Sequence, residues 1–226
     1  MPSSLKTILF ACAFTALCQS AIAGPISVFD VTLDTAPLVG HPAGPFYVYL
    51  EFIDGSGIGD ANNTVTLSDV NLGGGSALGS PAVFGGATGS LETGVTITDS
   101  SFVSIFSEQF VPGLQLSFSL GLTSNDDLGG TPDGFTFFVL DNSGVPLPTL
   151  APVGDYFLTA GLGSSGPTFS VYGSDPSRAP SVGDPVSIPP PTVSASSVPE
   201  PGTFYLSGVL AGVLIVIRRS CRQSTR

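Results

Sequence analysis

The sequence predicts an all-β fold, an antiparallel β-sandwich of jelly-roll-like type, followed by a single transmembrane helix near the C-terminus. Three observations lead to this prediction. Large apolar residues alternate with small or polar residues over many short segments, and Asp, Asn, Gly and Pro cluster between those segments. An uncharged apolar run also stands directly before the terminal arginines. A β-barrel is the alternative arrangement of the same strands.

The first 23 residues have the layout of a secretory signal peptide. Lys6 supplies a positive start, residues 8–18 are apolar, and residues 21–23 form an A-x-A cleavage pattern. We therefore expect an exported chain whose mature part begins at Gly24. Two of the three cysteines lie in this leader and the third is Cys221, so residues 24–197 contain no thiol and form no disulfide.

The segment 24–178 is expected to form one sandwich domain, because its apolar periodicity is two rather than 3.6. Leu114, Leu116, Phe118, Leu120 and Leu122 alternate with small or polar residues, which places them on one face of a strand. Other segments of this kind, bounded by turn residues, are predicted strands. They cover residues 26–33, 46–53, 64–72, 94–97, 102–110, 135–140, 156–160 and 168–172.

Two stretches of the chain show no such alternation. The Gly-rich residues 73–90 are expected to form a long surface loop with at most one short strand. Residues 179–197 are rich in Pro and Ser and are expected to form an extended, solvated linker.

Charge restricts the partners of the chain. The formal net charge is −11, and residues 24–197 contain sixteen of the seventeen acidic residues but only one base, Arg178, besides the neutral His41. Such a segment repels phosphate backbones, so nucleic-acid binding is not expected. Cations are the natural counterparts of this surface, although the charge also serves solubility alone.

The last 29 residues, 198–226, have three parts. Val198, Pro199, Glu200 and Pro201 precede residues 202–217, which carry no charge and would span about 24 Å as a helix. Arg218, Arg219 and Arg222 follow and would act as a stop-transfer signal that keeps the tail in the cytoplasm. The prolines would end the helix outside the membrane and present Glu200 on extended backbone.

This tripartite layout resembles the PEP-CTERM sorting signal of bacteria. The resemblance implies that residues 199–201 are recognised by exosortase, a membrane processing enzyme, and that the protein passes from an inner-membrane intermediate to the cell surface or the extracellular matrix. It also implies a biofilm-forming organism that makes exopolysaccharide, which becomes a possible partner. The resemblance covers these residues only, so the role of the sandwich has to be argued separately.

An enzymatic role is not expected. His41 is the only histidine of the chain and no G-x-S-x-G pattern surrounds a serine, so nucleophilic triads lack their parts. A glycosidase with paired carboxylates, drawn from Glu51, Glu92, Glu108 or the aspartates, is the remote alternative. The absence of tryptophan for sugar stacking argues against it.

No cofactor is required, but Ca²⁺ is an alternative partner. Asp54, Ser56 and Asp60 place hard oxygens close together in a Gly-rich turn, although the EF-hand pattern fails at its twelfth position, Val65. A second group contains Asp126, Asp127 and Asp133. Asx-type turns without metal explain the same composition.

Two functional classes remain after these exclusions. The first is a non-catalytic structural or interaction protein of the surface or matrix. The second is a glycan-binding or Ca²⁺-dependent adhesive module, with Tyr47 and Tyr49 on one face of a strand as candidate sugar contacts. A half-buried aromatic stripe is the alternative explanation of the two tyrosines.

Overall fold

A computed structural model of the chain describes residues 26–55, 59–125 and 131–196. The predicted signal peptide and sorting signal, together with Ser56, Asp126 and Asp127, lie outside the described residues. The described residues form twelve strands and one short 3₁₀ helix. These are β1 (Ile26–Asp34), η1 (Ala36–Leu38), β2 (Phe46–Ile53), β3 (Thr64–Asn71), β4 (Ser76–Phe84), β5 (Gly86–Ser90), β6 (Gly94–Thr98), β7 (Val103–Val111), β8 (Gln115–Thr123), β9 (Asp133–Leu140), β10 (Leu158–Gly163), β11 (Gly166–Val171) and β12 (Thr192–Ala195).

The strands make two six-stranded antiparallel sheets. Sheet A has the order β12-β1-β8-β3-β6-β5, and sheet B has the order β11-β10-β9-β2-β7-β4. The prediction of an all-β, two-sheet antiparallel architecture is confirmed. Within the described ranges, no helix is long and apolar enough to span a membrane.

The hydrophobic core lies between the sheets and follows the alternation of the sequence. In β2 every second residue is buried, and the buried residues are Phe46, Val48, Leu50 and Phe52. In β8 the residues from Leu116 to Leu122 behave in the same way, whereas Leu114 precedes the strand and is 68% exposed. Each fully buried side chain of this size contributes about 1.5–3 kcal/mol to folding.

The Gly-rich segment 73–90 differs from its prediction as a loop, because it contains β4 and β5. Strand β4 pairs with β7 through a register shift between Leu78 and Ala82, and β5 pairs with β6. Most side chains of these strands are exposed or half-buried. Backbone pairing at a sheet edge needs no apolar alternation, so the sequence carries no periodic signal here.

Residues 179–196 also differ from the prediction of a solvated linker. Val186 and Ile188 are 7% and 2% exposed, and Ser174 Oγ donates to the Val186 carbonyl oxygen while it accepts from the Ile188 N–H, both at 2.7 Å. Strand β12 then pairs with β1. The prolines leave this segment extended, and its few apolar side chains complete the core.

Candidate functional site

Five polar side chains close one end of the hydrophobic core. Four of them lie one residue outside the end of a strand, and the fifth is the first residue of β9. Each occupies the position where the alternation would place the next core-facing side chain. Asp54, Asn63 and Asp99 are fully buried, Asp133 is 1% exposed, and the Ser124 Oγ atom is buried. We call Asp54, Asn63, Asp99, Ser124 and Asp133 the acid–amide layer.

Asn63 is the centre of this layer. Its side-chain N–H groups donate to the Asp133 carboxylate at 2.9 Å and to the Asn125 carbonyl oxygen at 3.0 Å. Its side-chain oxygen accepts from the Asn125 N–H at 2.8 Å and from Thr123 Oγ1 at 3.2 Å, and its backbone N–H donates to Asp99 at 2.9 Å. The amide therefore links three separate chain segments.

The turn after β2 and the start of β9 approach each other closely beside Asn63. The Asp133 carboxylate accepts from the Gly55 N–H at 2.7 Å, and Asp54 accepts from the Gly59 N–H at 2.5 Å. A Cβ atom at Gly55 would overlap the carbonyl oxygen of Thr131, so this approach requires glycine.

Asp99 is electrostatically unusual within the layer. Burial, together with the adjacent Asp133 carboxyl and the charge of Asp60, raises the pKa of Asp99 to about 7, although the Asn63 N–H opposes the shift. Asp99 Oδ1 is buried and lies against the Asp133 carboxyl, and Ser124 Oγ is a buried hydroxyl oxygen for which the described residues supply no hydrogen-bond partner. Buried polar atoms of this kind are uncommon in folded proteins and call for a physical explanation.

The bases of the domain lie elsewhere. Arg178 pairs with Asp155 at 2.6 Å and with Asp175 at 2.9 Å. The His41 Nε2 donates to the Asp184 carbonyl oxygen at 2.9 Å, while Nδ1 accepts from the Ala43 N–H at 3.2 Å, so this histidine joins two loops.

Of the residues predicted to bind Ca²⁺, the structure describes Asp54, Asp60 and Asp133. Asp54 belongs to the acid–amide layer, but Asp60 is exposed and accepts from the N–H and side-chain amide of Asn62, an Asx-type turn. Of the second predicted group, Asp133 lies in the layer. Within the described part of the chain, no three His, Cys, Asp or Glu side chains are grouped as a metal site.

The outer face of sheet B carries an aromatic row. Tyr49 packs edge-on against Phe138, with ring centroids 5.5 Å apart, and Phe138 contacts Tyr156 at 6.0 Å. Tyr172 continues the row at 5.5 Å from Tyr156. We call these four residues the aromatic row; Tyr47 lies on the same face of β2 but outside it.

Two further rows run beside the aromatic row. The strand registers place Glu51 beside Thr136 and Thr136 beside Thr159, and the next positions along these strands pair Gly134 with Gly161. A Cβ atom at either glycine would meet nothing within 4 Å. Burial raises the pKa of Glu51, and the Glu51 charge adds to burial in raising that of Tyr49. This face of sheet B thus combines aromatic rings, side-chain oxygen atoms and an open area of backbone at the two paired glycines.

Two of the carboxylates considered for a glycosidase, Glu51 and Glu108, lie on opposite faces of sheet B. Glu51 points outward from β2, whereas Glu108 is 3% exposed, faces the core and accepts from the Leu91 N–H at 2.6 Å. Glu92 is exposed, and its charge contributes, after burial, to the raised pKa of Glu108.

Sequence reasoning missed Asp99, Asn63 and Ser124 as members of one layer. The alternation of the strands was the available signal. Val65, Ile97 and Leu122 face the core. The next residue on the same face of each strand, two positions further toward its end, is one of these three polar side chains. The partners of Tyr49 in the aromatic row were missed because they depend on strand register.

Comparison with known proteins gave no match: no protein-family model matches the chain, and neither a curated protein nor a solved structure is similar to it.

Proposed function

We propose that the chain is an exported surface or matrix protein, sorted by exosortase through its C-terminal signal, with a non-catalytic structural or interaction role. The observation that carries this proposal is the order of Val198–Pro201, an uncharged apolar segment and terminal arginines within the last 29 residues. Its transmembrane helix would hold an inner-membrane intermediate before transfer to the cell surface.

The test is cell fractionation with and without the exosortase, followed by mass spectrometry of the C-terminus. We expect the protein to accumulate in the inner membrane when the exosortase is absent, and Glu200→Ala to have the same effect. Glu92→Ala, an exposed glutamate of the domain, is the matched control. An unchanged mass and location for Glu200→Ala would refute the sorting proposal.

The jelly-roll-like classification belongs to this proposal as well. It is supported by the way the chain alternates between sheets, since β1, β3, β6 and β8 lie in sheet A while β2, β4 and β7 lie in sheet B. Neighbouring strands such as β1 and β8, β3 and β8, or β2 and β7 are therefore joined by crossovers, whereas β5–β6 and β9–β10–β11 follow one another in the chain.

A second function, glycan binding, is favoured by the outer face of sheet B. Sugar rings stack on aromatic side chains through their C–H faces, and their hydroxyls require oxygen partners. The aromatic row supplies rings for stacking, and the neighbouring Glu51 and Thr136 supply oxygen partners for the hydroxyls. The glycine pair leaves room for a chain to lie across the strands. An exopolysaccharide is the ligand that the proposed location would offer.

This second function is tested with a glycan array and with two kinds of variant. Tyr49→Ala and Tyr156→Ala should abolish binding, whereas Tyr47→Ala, on the same face but outside the row, should retain it. Gly161→Val adds volume where the structure has space, so it should block binding without unfolding the domain. Binding that depends equally on Tyr47 would contradict the aromatic row as the site.

A further inference from the structure

We propose that the chain cleaves its own backbone between Asp184 and Pro185, with the Asp184 carboxyl group as nucleophile and His41 as the donor to the reacting carbonyl oxygen. The bond lies in the exposed segment 181–185, directly before the buried Val186. The reaction is one hydrolytic event within the chain instead of turnover of a separate substrate. It does not depend on the sorting proposal.

The Asp–Pro bond is chemically suited to such a reaction. An aspartate side chain can close a five-membered ring onto its own peptide carbonyl carbon, and this intramolecular attack has a large entropic advantage over attack by free water. The proline nitrogen belongs to a tertiary amide, so it leaves as a secondary amine once it is protonated. The sequence contains two Asp–Pro bonds, Asp175–Pro176 and Asp184–Pro185.

His41 is placed at the oxygen atom that the reaction would charge. Its Nε2 lies 2.9 Å from the Asp184 carbonyl oxygen, while its Nδ1 accepts from the Ala43 N–H at 3.2 Å. Because Nδ1 accepts, the proton of the neutral ring is on Nε2 and is directed at that carbonyl oxygen. A donor at this position stabilises the oxyanion that forms when the carbonyl carbon is attacked.

The fold holds the segment against the imidazole ring. Gly183 has a φ of +92°, and a Cβ atom there would lie 2.7 Å from His41 Cε1, so this close approach requires glycine. On one side the Ser181 N–H donates to the Asp141 carboxylate at 3.2 Å, and on the other the Val186 carbonyl oxygen accepts from a buried serine hydroxyl at 2.7 Å. The Asp–Pro bond is therefore anchored on both sides.

The two Asp–Pro bonds differ in the state of their carboxylates. The Asp175 carboxylate accepts from the Ser177 hydroxyl at 2.6 Å and N–H at 2.9 Å and pairs with Arg178 at 2.9 Å. These partners lower the pKa of Asp175 and hold its side chain away from its own carbonyl carbon. The exposed Asp184 carboxylate makes no hydrogen bond or ion pair with the residues that the structure describes. The fold thus restrains one carboxylate and leaves the other able to attack.

The reaction balances with water as the only co-reactant. The Asp184 carboxyl oxygen bonds to the carbonyl carbon, the C–N bond to Pro185 breaks, and the carboxyl proton passes to the proline nitrogen. The products of this step are a cyclic anhydride and a secondary amine. One water molecule then opens the anhydride to two carboxyl groups, leaving one fragment that ends at Asp184 and one that begins at Pro185.

Cleavage would leave the second fragment bound to the domain. Val186 and Ile188 are buried in the core, and β12 pairs with β1. If the C-terminal signal holds the protein at a membrane, cleavage converts a covalent attachment of the domain into a non-covalent one. This consequence rests on the proposed sorting, whereas the cleavage is measured on purified protein without exosortase, so the two proposals fail separately.

The test is incubation of the purified full chain at about pH 5, where a share of ordinary aspartic acid side chains is protonated, followed by mass spectrometry. We expect fragments that end at Asp184 and begin at Pro185. Asp184→Ala should abolish them, and His41→Ala should slow their formation about 10- to 100-fold. Glu92→Ala, which removes an exposed acid elsewhere, should leave the rate unchanged. An intact bond in the unmodified protein, or an unchanged rate in His41→Ala, would overturn the proposal.

A second measurement keeps the proposal testable if His41→Ala fails to fold. In the folded, unmodified chain, cleavage at Asp184–Pro185 should be at least about tenfold faster than at Asp175–Pro176. In concentrated urea, which removes both the His41 contact and the restraint on Asp175, the two rates should become similar. Equal rates in the folded protein, or the same preference in urea, would show that the fold does not direct the cleavage and would refute the role of His41.

Discussion

Replacing Asn63 by alanine is the sharpest test of how the acid–amide layer stabilises the fold. The side chain makes four hydrogen bonds, of which one goes to the Asp133 carboxylate and two go to the backbone of Asn125. Removing it takes one donor from the buried Asp133 carboxylate and both side-chain partners from the half-buried backbone of Asn125. At about 1 kcal/mol for each neutral bond and rather more for the charged one, the loss should be about 4 kcal/mol.

A loss of this size is a large part of the total stability of a domain, which is typically 5–15 kcal/mol. Urea unfolding of the purified protein should show it as a lower midpoint with an unchanged slope. Asn142→Ala is the control, because the exposed Asn142 side chain makes two hydrogen bonds, donating to the Gly44 carbonyl oxygen at 3.1 Å and accepting from Ser143 Oγ at 3.2 Å. If Asn63→Ala costs less than about 1 kcal/mol, the layer is not a stabilising network and our reasoning is wrong.

The remaining predictions concern pH, the C-terminal segment and strand packing. Because an acid with a raised pKa binds its proton more tightly when folded, Asp99 should make stability fall as pH rises from about 4 to about 7. Asp99→Asn should flatten that dependence when unfolding midpoints are measured across the range. Ile188→Ala should cost about 2–4 kcal/mol in urea unfolding, whereas Val182→Ala, at a 48% exposed position, should cost less than about 0.5 kcal/mol. Gly121→Val should lower Tm, because a Cβ atom at Gly121 would overlap the Thr66 hydroxyl of the paired strand β3. An unchanged Tm would contradict a close contact between β3 and β8 at this point.

The sequence predicted most strongly those strands that face the core with large side chains. Strand β2 was predicted at residues 46–53 and is found there, because its alternation is strict and each inward residue is large. Strands β4, β5 and β12 lack such residues. They are stabilised by pairing with a neighbouring strand, and which neighbour is available is decided by the whole fold.

The same distinction applies to the sites. Tyr47 and Tyr49 were predicted to share one face because i and i+2 positions of a strand lie on the same side. The neighbours of Tyr49, which are Phe138, Tyr156 and Tyr172, come from distant parts of the chain, and only the register of β2 with β9 brings the first of them into contact. Asp99 and Asp133 are 34 residues apart, so their encounter could not be predicted from local spacing.

The pairing of β12 with β1 fixes the end of the sandwich at which the chain leaves it. Ala195 lies opposite Phe29, and the Ser196 N–H donates to the Val28 carbonyl oxygen at 2.8 Å, so the chain leaves the sandwich at the end where β1 begins. Ile26 is opposite Thr123 at that same end, beside the acid–amide layer. In the sorting proposed above, the residues after Ser196 would hold the domain with its acid–amide layer toward the surface and η1 away from it. The aromatic row would then be exposed along the side of the sandwich.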